Sequence, residues 1–160
     1  MRSFQLTIPL TVYDSETELP DNYQLLLQTA RQATQQAYAP YSNFQVGAAV
    51  LLNDGTIIKA NNQENAAYPS GSCAEQSLIF WVGANYPTHQ IEAIAVTAYT
   101  EGVFKAVSPC GACRQALLEY EHRQKSPIRL FMLQPAGGVV ATNSIADMLP
   151  VKFDADDLKG

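Results

Sequence analysis

Cys110 and Cys113 stand three positions apart directly after Pro109, in the run Ser108-Pro109-Cys110-Gly111-Ala112-Cys113-Arg114-Gln115. The only other cysteine, Cys73, lies 37 positions before Cys110 and opens a second motif, Cys73-Ala74-Glu75. Three thiolates can hold a metal of the zinc type and leave a fourth position to water. Both motifs fall where a strand or loop gives way to a helical pattern, so two helix starts distant in sequence must meet in the fold. Helix starts suit the purpose, because their unpaired N–H groups favour thiolates. Glu75 then lies on the first turn of Cys73's own helix, beside any bound ion, where a carboxylate can carry protons. A closed structural site would want a fourth protein ligand, and neither His89 nor His122 is well placed to be one. The pattern therefore favours a zinc site open to solvent over a structural zinc or a redox pair.

Along the chain, residues 3–13 alternate weakly and read as an extended arm or edge strand, Pro9 arguing against a central one. Asp21 stands as the N-cap of a helix whose apolar positions are Leu25, Leu26, Thr29, Ala33 and Ala37, and Pro40 stops it near Ala39. Phe44–Leu52 predicts a buried strand, Asn53-Asp54-Gly55 a hairpin turn, and Thr56–Ala60 the returning strand. A polar loop follows to Ser72, then a helix from about Cys73 to Gly83 with Leu78, Trp81 and Val82 on its apolar side. Ile91–Ala98 is almost continuously apolar, as a strand covered on both faces would be. A helix from Cys110 to about Arg123, strands at Ile128–Leu133 and Val139–Thr142, a short helix ending at Pro150 and an acidic tail complete the chain. Strands alternating with helices predict one three-layer α/β/α domain with a mixed, roughly five-stranded sheet over residues 21–160, preceded by the arm of residues 1–20.

Composition narrows the function. The net charge is -5, from 10 basic and 15 acidic residues, with no basic run of the kind a nucleic-acid backbone requires. A small-molecule substrate and no nucleic acid are expected. No apolar stretch approaches the ~18 residues needed to cross a bilayer. Three cysteines do not form a disulfide framework, and with no leader pattern at the start the expected location is the cytoplasm. Charged residues make up only 16% of the chain, low for a small monomer, which suggests surface covered by partner subunits.

Three thiolates and a glutamate that is not a ligand are the known signature of zinc-dependent base deaminases. Four motifs in order carry a closer resemblance: Ala39-Pro40-Tyr41-Ser42-Asn43-Phe44-Gln45-Val46-Gly47-Ala48, Asn62-Gln63-Glu64-Asn65-Ala66-Ala67-Tyr68, Cys73-Ala74-Glu75 and Ser108–Gln115. With them the chain resembles the cytidine deaminase family in its compact homotetrameric form, from about Tyr23 to Leu158. The resemblance implies one zinc per subunit on Cys73, Cys110 and Cys113, with Glu75 as proton shuttle. It implies that Phe44 stacks on the pyrimidine, that Asn62 and Glu64 hold the ribose 3'-hydroxyl, and that the backbone around Ala74 and Ser108 reads the base edge. Phe153 would reach a neighbouring subunit's pocket and Tyr68 would lie at a shared site. The expected reaction is hydrolysis of cytidine and 2'-deoxycytidine to the uridines and ammonia, in pyrimidine salvage. The nearest rival is a deaminase of another cytosine compound, resembling blasticidin S deaminase, against which Asn62 and Glu64 argue. Two positions apart on an extended segment, these two share one side of it. One departure stands out: after the Cys-Ala-Glu motif the compact enzymes usually carry arginine, where this chain has Gln76; either another basic residue such as Arg114 offsets thiolate charge, or the zinc-bound water is harder to ionise.

Overall fold

A computed structural model describes residues 1–159. Its elements are β1 (Thr11–Tyr13), α1 (Asp21–Thr34), β2 (Gln45–Leu52), β3 (Ile57–Asn61), α2 (Ala74–Asn85), β4 (Ile91–Thr100), β5 (Val103–Lys105), α3 (Gly111–Gln124), β6 (Arg129–Leu133) and β7 (Val139–Thr142). The sheet runs β1-β7-β6-β4-β2-β3, with β5 paired to the end of β4 beyond β6. It is mixed, as expected: β4 and β6 are parallel and joined through α3, and the other pairs are antiparallel. Seven strands extend the roughly five expected: β1 is the end of the segment read as an arm or edge strand and does lie at the sheet edge beside β7, and the three-residue β5 is too short to leave a pattern in sequence.

Alternation within the strands creates the three layers. Ala48, Val50 and Leu52 of β2, Ile94 and Val96 of β4 and Leu130 and Met132 of β6 pack on one face against Leu78, Ile79 and Val82 of α2 and Leu117 and Leu118 of α3. Their neighbours Ala49, Leu51, Ala93, Ala95, Phe131 and Leu133 face the other way, against Leu26, Leu27 and Ala30 of α1. The small residues at the start of β2 let α1 approach closely. A Cβ on Gly47 would lie 2.1 Å from the Ala30 carbonyl oxygen. On the opposite face a Cβ on Gly83 of α2 would lie 2.4 Å from the Tyr120 ring of α3.

Several local expectations are corrected. Asp21 is the first residue of α1, and Pro20 holds the cap position. The buried face of α1 is Leu26, Leu27, Ala30, Ala33 and Thr34, one residue round from the expected stripe, and Leu25 is exposed. The helix ends at Thr34 and not near Ala39, because Tyr38 is drawn into pairing with the end of β3: its N–H donates to the Asn62 carbonyl (3.0 Å) and its carbonyl accepts from the Glu64 N–H (2.8 Å). Trp81 is not on the buried side of α2. It is 48% exposed, while Ile79 takes the core position.

Direction then sets the place of the site. β3 and β4 are both antiparallel to β2, so they run the same way and end at one edge of the sheet. The chain leaves β3 toward α2 and leaves the β4–β5 hairpin toward α3, and α2 and α3 pack together. Both helices therefore start at the edge where β2 begins.

Candidate active site

The two helix starts bring the three thiols together. Cys73 is the N-cap of α2 and Cys110 the N-cap of α3, each in extended conformation and neither using its side chain as a cap. Cys113 follows on the first turn of α3 and is fully buried. The three sulfur atoms lie within 4.8 Å of one another, and Cys110 Sγ is 3.4 Å from Cys113 Sγ. A tetrahedral zinc with Zn–S of about 2.3 Å has thiolates about 3.8 Å apart, so the cluster fits the ion in donor type and in spacing. The thiols are already unequal: Cys73 is pulled down to about 6, first by its hydrogen bond with Cys113. Cys113 is pushed up by the same bond and by burial. His89 lies beside Asp54, and His122 beside Asp154 and Asp156, so neither histidine joins the thiols.

Glu75 is 4% exposed and its carboxyl lies by the Cys113 thiol. Burial raises its pKa above the ordinary range for glutamate, the Cys113 contact opposing only in part. A carboxyl so placed can keep a proton that a surface glutamate would have lost, and can give it up next to the metal ligands.

A cavity of about 510 Å³ opens in front of the thiols, lined by Cys73, Glu75, Cys110, Val107 and Ser108 on one side and by Asn62, Glu64, Tyr68, Tyr41, Ser42 and Val46 on the other. The 64–71 segment is closed as a lobe by paired hydrogen bonds between the backbones of Gln63 and Ser72, both 2.9 Å. The Glu64 carboxylate is directed to the start of β2: Oε2 accepts from the N–H groups of Tyr41 (2.9 Å) and Ser42 (3.3 Å), and Oε1 from the Ser42 hydroxyl. Asn62 accepts from the Val46 N–H (2.7 Å) and donates to the Phe44 carbonyl (2.9 Å). It thus holds the entry to β2 while one amide hydrogen remains free of those two bonds.

The remaining residues expected at the site divide. Ala74 is buried at the start of α2 and Ser108 lines the cavity. Tyr68 lines it too, 77% exposed, its ring edge-on to Tyr41. Phe44 is half-buried beside the cavity lining, between Asn43 and the start of β2. Phe153 is 57% exposed and contributes nothing to the cavity lining of its own chain; Gln115 donates to its carbonyl at 2.9 Å.

Arg114, one of the two alternatives for offsetting thiolate charge, also has a structural task. Its Nε donates to the Pro109 carbonyl (2.8 Å), Nη1 to the Met148 carbonyl (3.1 Å) and Nη2 to Ser108 Oγ (2.9 Å). Each of its nitrogens thus serves an oxygen, and together they fix the loop that carries Ser108 and Cys110. Sequence reading also passed over Ser42; its place beside Phe44 in the first motif was the available signal.

Residues 20–126 match the family described as the cytidine and deoxycytidylate deaminase zinc-binding region. The chain is 41% identical over 133 residues to the cytidine deaminase of Sporosarcina psychrophila, an alignment covering 83% of this chain and 92% of that one. It is 36% identical over 141 residues to the cytidine deaminase of Mycobacterium tuberculosis (strain H37Rv), covering 88% and 96%. Among solved structures, the cytidine deaminase of Burkholderia pseudomallei is similar with a TM-score of 0.70 at 37% identity, over 82% of this chain and 98% of that one.

Proposed function

The chain belongs to the cytidine and deoxycytidylate deaminase family of zinc enzymes, and we propose that it hydrolyses cytidine and 2'-deoxycytidine to uridine and 2'-deoxyuridine, releasing ammonia. The observation that carries the proposal is the shared cavity: Cys73, Cys110 and a buried glutamate on one wall, with Cys113 clustered behind them, and an amide–carboxylate pair suited to a sugar on the other.

Cys73, Cys110 and Cys113 would hold the zinc. When bound there, zinc lowers the pKa of water enough to make a nucleophile available near neutral pH. Glu75 takes a proton from the attacking water and delivers it to the ring nitrogen next to the reacting carbon; it then takes the remaining proton of the added hydroxyl, as the carbonyl forms, and gives it to the departing amine. One water is consumed and one ammonia leaves. The backbone about Ala74 and Ser108 faces the base edge, with Arg114 fixing the Ser108 side. Phe44 stacks on the pyrimidine, and Glu64, assisted by the free amide hydrogen of Asn62, accepts the 3'-hydroxyl.

Glu64→Gln tests the sugar assignment. It removes the charge but keeps a similar shape, so KM for cytidine is expected to rise about tenfold or more, with kcat and zinc content little changed. Steady-state kinetics and metal analysis read both quantities. Unchanged KM would remove Glu64 from substrate recognition.

The active unit is a homotetramer with shared sites, its subunits working in the cytoplasm in pyrimidine salvage. Exposed Phe80 and Trp81 on α2, and Tyr68 and Phe153 near the cavity mouth and the C-terminal segment, support burial between subunits. Among the described residues no helix is long and apolar enough to cross a membrane. Residues 1–20 form an N-terminal arm or edge strand, with β1 paired to β7, before a catalytic domain of residues 21–160; the family match over residues 20–126 supports the start of that domain.

A further inference from the structure

We propose that Ser42 is a positioning residue for sugar recognition: its hydroxyl orients the Glu64 carboxylate toward the substrate and ties it to the backbone of Phe44. The proposal rests on the reading that Glu64 accepts the 3'-hydroxyl.

The hydrogen bonding fixes the direction of the Ser42 hydroxyl. Its oxygen accepts from the Phe44 N–H at 3.0 Å. Its single proton goes to Glu64 Oε1, because an ionised carboxylate can only accept. One hydroxyl therefore links the residue assigned to the sugar with the residue assigned to the base. Asn62 holds the other side of the same peptide through the Phe44 carbonyl, so Phe44 is fastened at both its N–H and its carbonyl by side chains that line the cavity.

The remaining donors to Glu64 are backbone groups, the N–H of Tyr41 and of Ser42. They are presented by a loop that turns at Asn43, whose φ of 54° lies in the left-handed region that asparagine tolerates. Changing the Ser42 side chain leaves those two donors in place and removes only the hydroxyl. Without it, Glu64 Oε1 loses its fixed partner and can swing, and the Phe44 N–H loses its acceptor. Ser42 is exposed on the cavity wall and takes no part in either core.

Hydrogen bonding to the charged form also holds Glu64 below the ordinary carboxylate range, the Ser42 hydroxyl being the largest cause and the Tyr41 N–H the next. The sign of the pH effect follows. The ionised carboxylate is the form that accepts the sugar hydroxyl, so kcat/KM declines as pH falls through the Glu64 pKa. Removing the Ser42 hydroxyl raises that pKa and moves the decline to higher pH.

The test compares the zinc-loaded protein with Ser42→Ala, Ser42→Cys and Ser42→Thr, on cytidine and on 3'-deoxycytidine, across the acidic range. The unaltered protein should prefer cytidine. Ser42→Ala should reduce that preference about tenfold, through a KM for cytidine that rises much more than the KM for 3'-deoxycytidine, the smaller change shared by both coming from the released Phe44 N–H, and should shift the acidic limb upward. Ser42→Cys, close in size but a weak donor, should behave similarly and serves if the alanine variant folds poorly; Ser42→Thr should restore the preference. An equal loss on both substrates, or a preference that does not change, would overturn the positioning role while leaving Glu64's assignment intact. Equal use of the two nucleosides by the unaltered protein would remove the sugar assignment itself, and the role of Ser42 with it.

Discussion

Glu75→Gln is expected to lower kcat by about 10²–10⁴-fold while the protein keeps its zinc and its fold. The glutamate is almost fully buried on the first turn of α2 and faces the cavity beside Cys113. Glutamine fills nearly the same space and can accept or donate one hydrogen bond, but it cannot take a proton from water and hand it on. The chemistry needs two such transfers, to the ring and to the leaving amine, so losing the carrier should slow the chemical step and leave ground-state binding nearly intact. KM should therefore stay within a few-fold of its original value. Burial holds the Glu75 pKa above the usual range, which suits a group that must both receive and release a proton near neutral pH. Stopped-flow or steady-state absorbance, with zinc content measured on the same samples, decides the matter. A kcat within threefold of the original would exclude Glu75 as the proton carrier.

Glu121→Ala is expected to cost about 3–5 kcal/mol of stability. Glu121 lies on the last turn of α3, buried, and its carboxylate accepts four hydrogen bonds: from the N–H groups of Ile128 (2.7 Å), Ile145 (2.8 Å) and Ala146 (3.1 Å), and from Ser144 Oγ (2.7 Å). It ties the end of α3 to the entry of β6 and to the single helical turn at Ala146–Met148. Alanine would leave three backbone donors without this partner in a part of the core that includes Ile128 and Ile145. For a chain of this size the midpoint of thermal unfolding should fall by roughly 10 °C or more. Glu121→Gln keeps one acceptor oxygen and should cost less. Because subunit association shifts apparent stability, the comparison requires one fixed protein concentration. A loss below about 1 kcal/mol for the alanine variant would show that water replaces the carboxylate cheaply.

Glu121 also marks where sequence reading stops. Its four partners lie 7 to 25 positions away, and on a helical pattern it looks like any solvated glutamate. The metal residues were legible because their signal is local: each short motif sits at a helix start, and the two starts need only meet. The three layers were legible as well, since alternating strands and amphipathic helices dictate them. Finer features depended on distant partners. Leu25, Leu26 and Leu27 are consecutive, so the phase of α1 is ambiguous until β2 and β4 show which of them is covered. The early end of α1 comes from Tyr38 pairing with residues 62–64, and β5 exists only because β4 extends beyond β6. The bonds by which Arg114 holds the Pro109 and Met148 carbonyls and Ser108 were not legible, since Met148 lies 34 positions away. At Gln76 the charge usual in the compact enzymes is absent, and no contact in the structure explains the substitution.

The most direct measurement is absorbance and ammonia release on mixing the zinc-loaded protein with cytidine, 2'-deoxycytidine, cytosine and blasticidin S, with a chelated sample beside it. Turnover of the two nucleosides is expected, with one zinc per chain, no turnover of cytosine, and activity that disappears on chelation and returns with zinc. Turnover of blasticidin S alone, or failure of both nucleosides to react with zinc bound, would contradict the assignment.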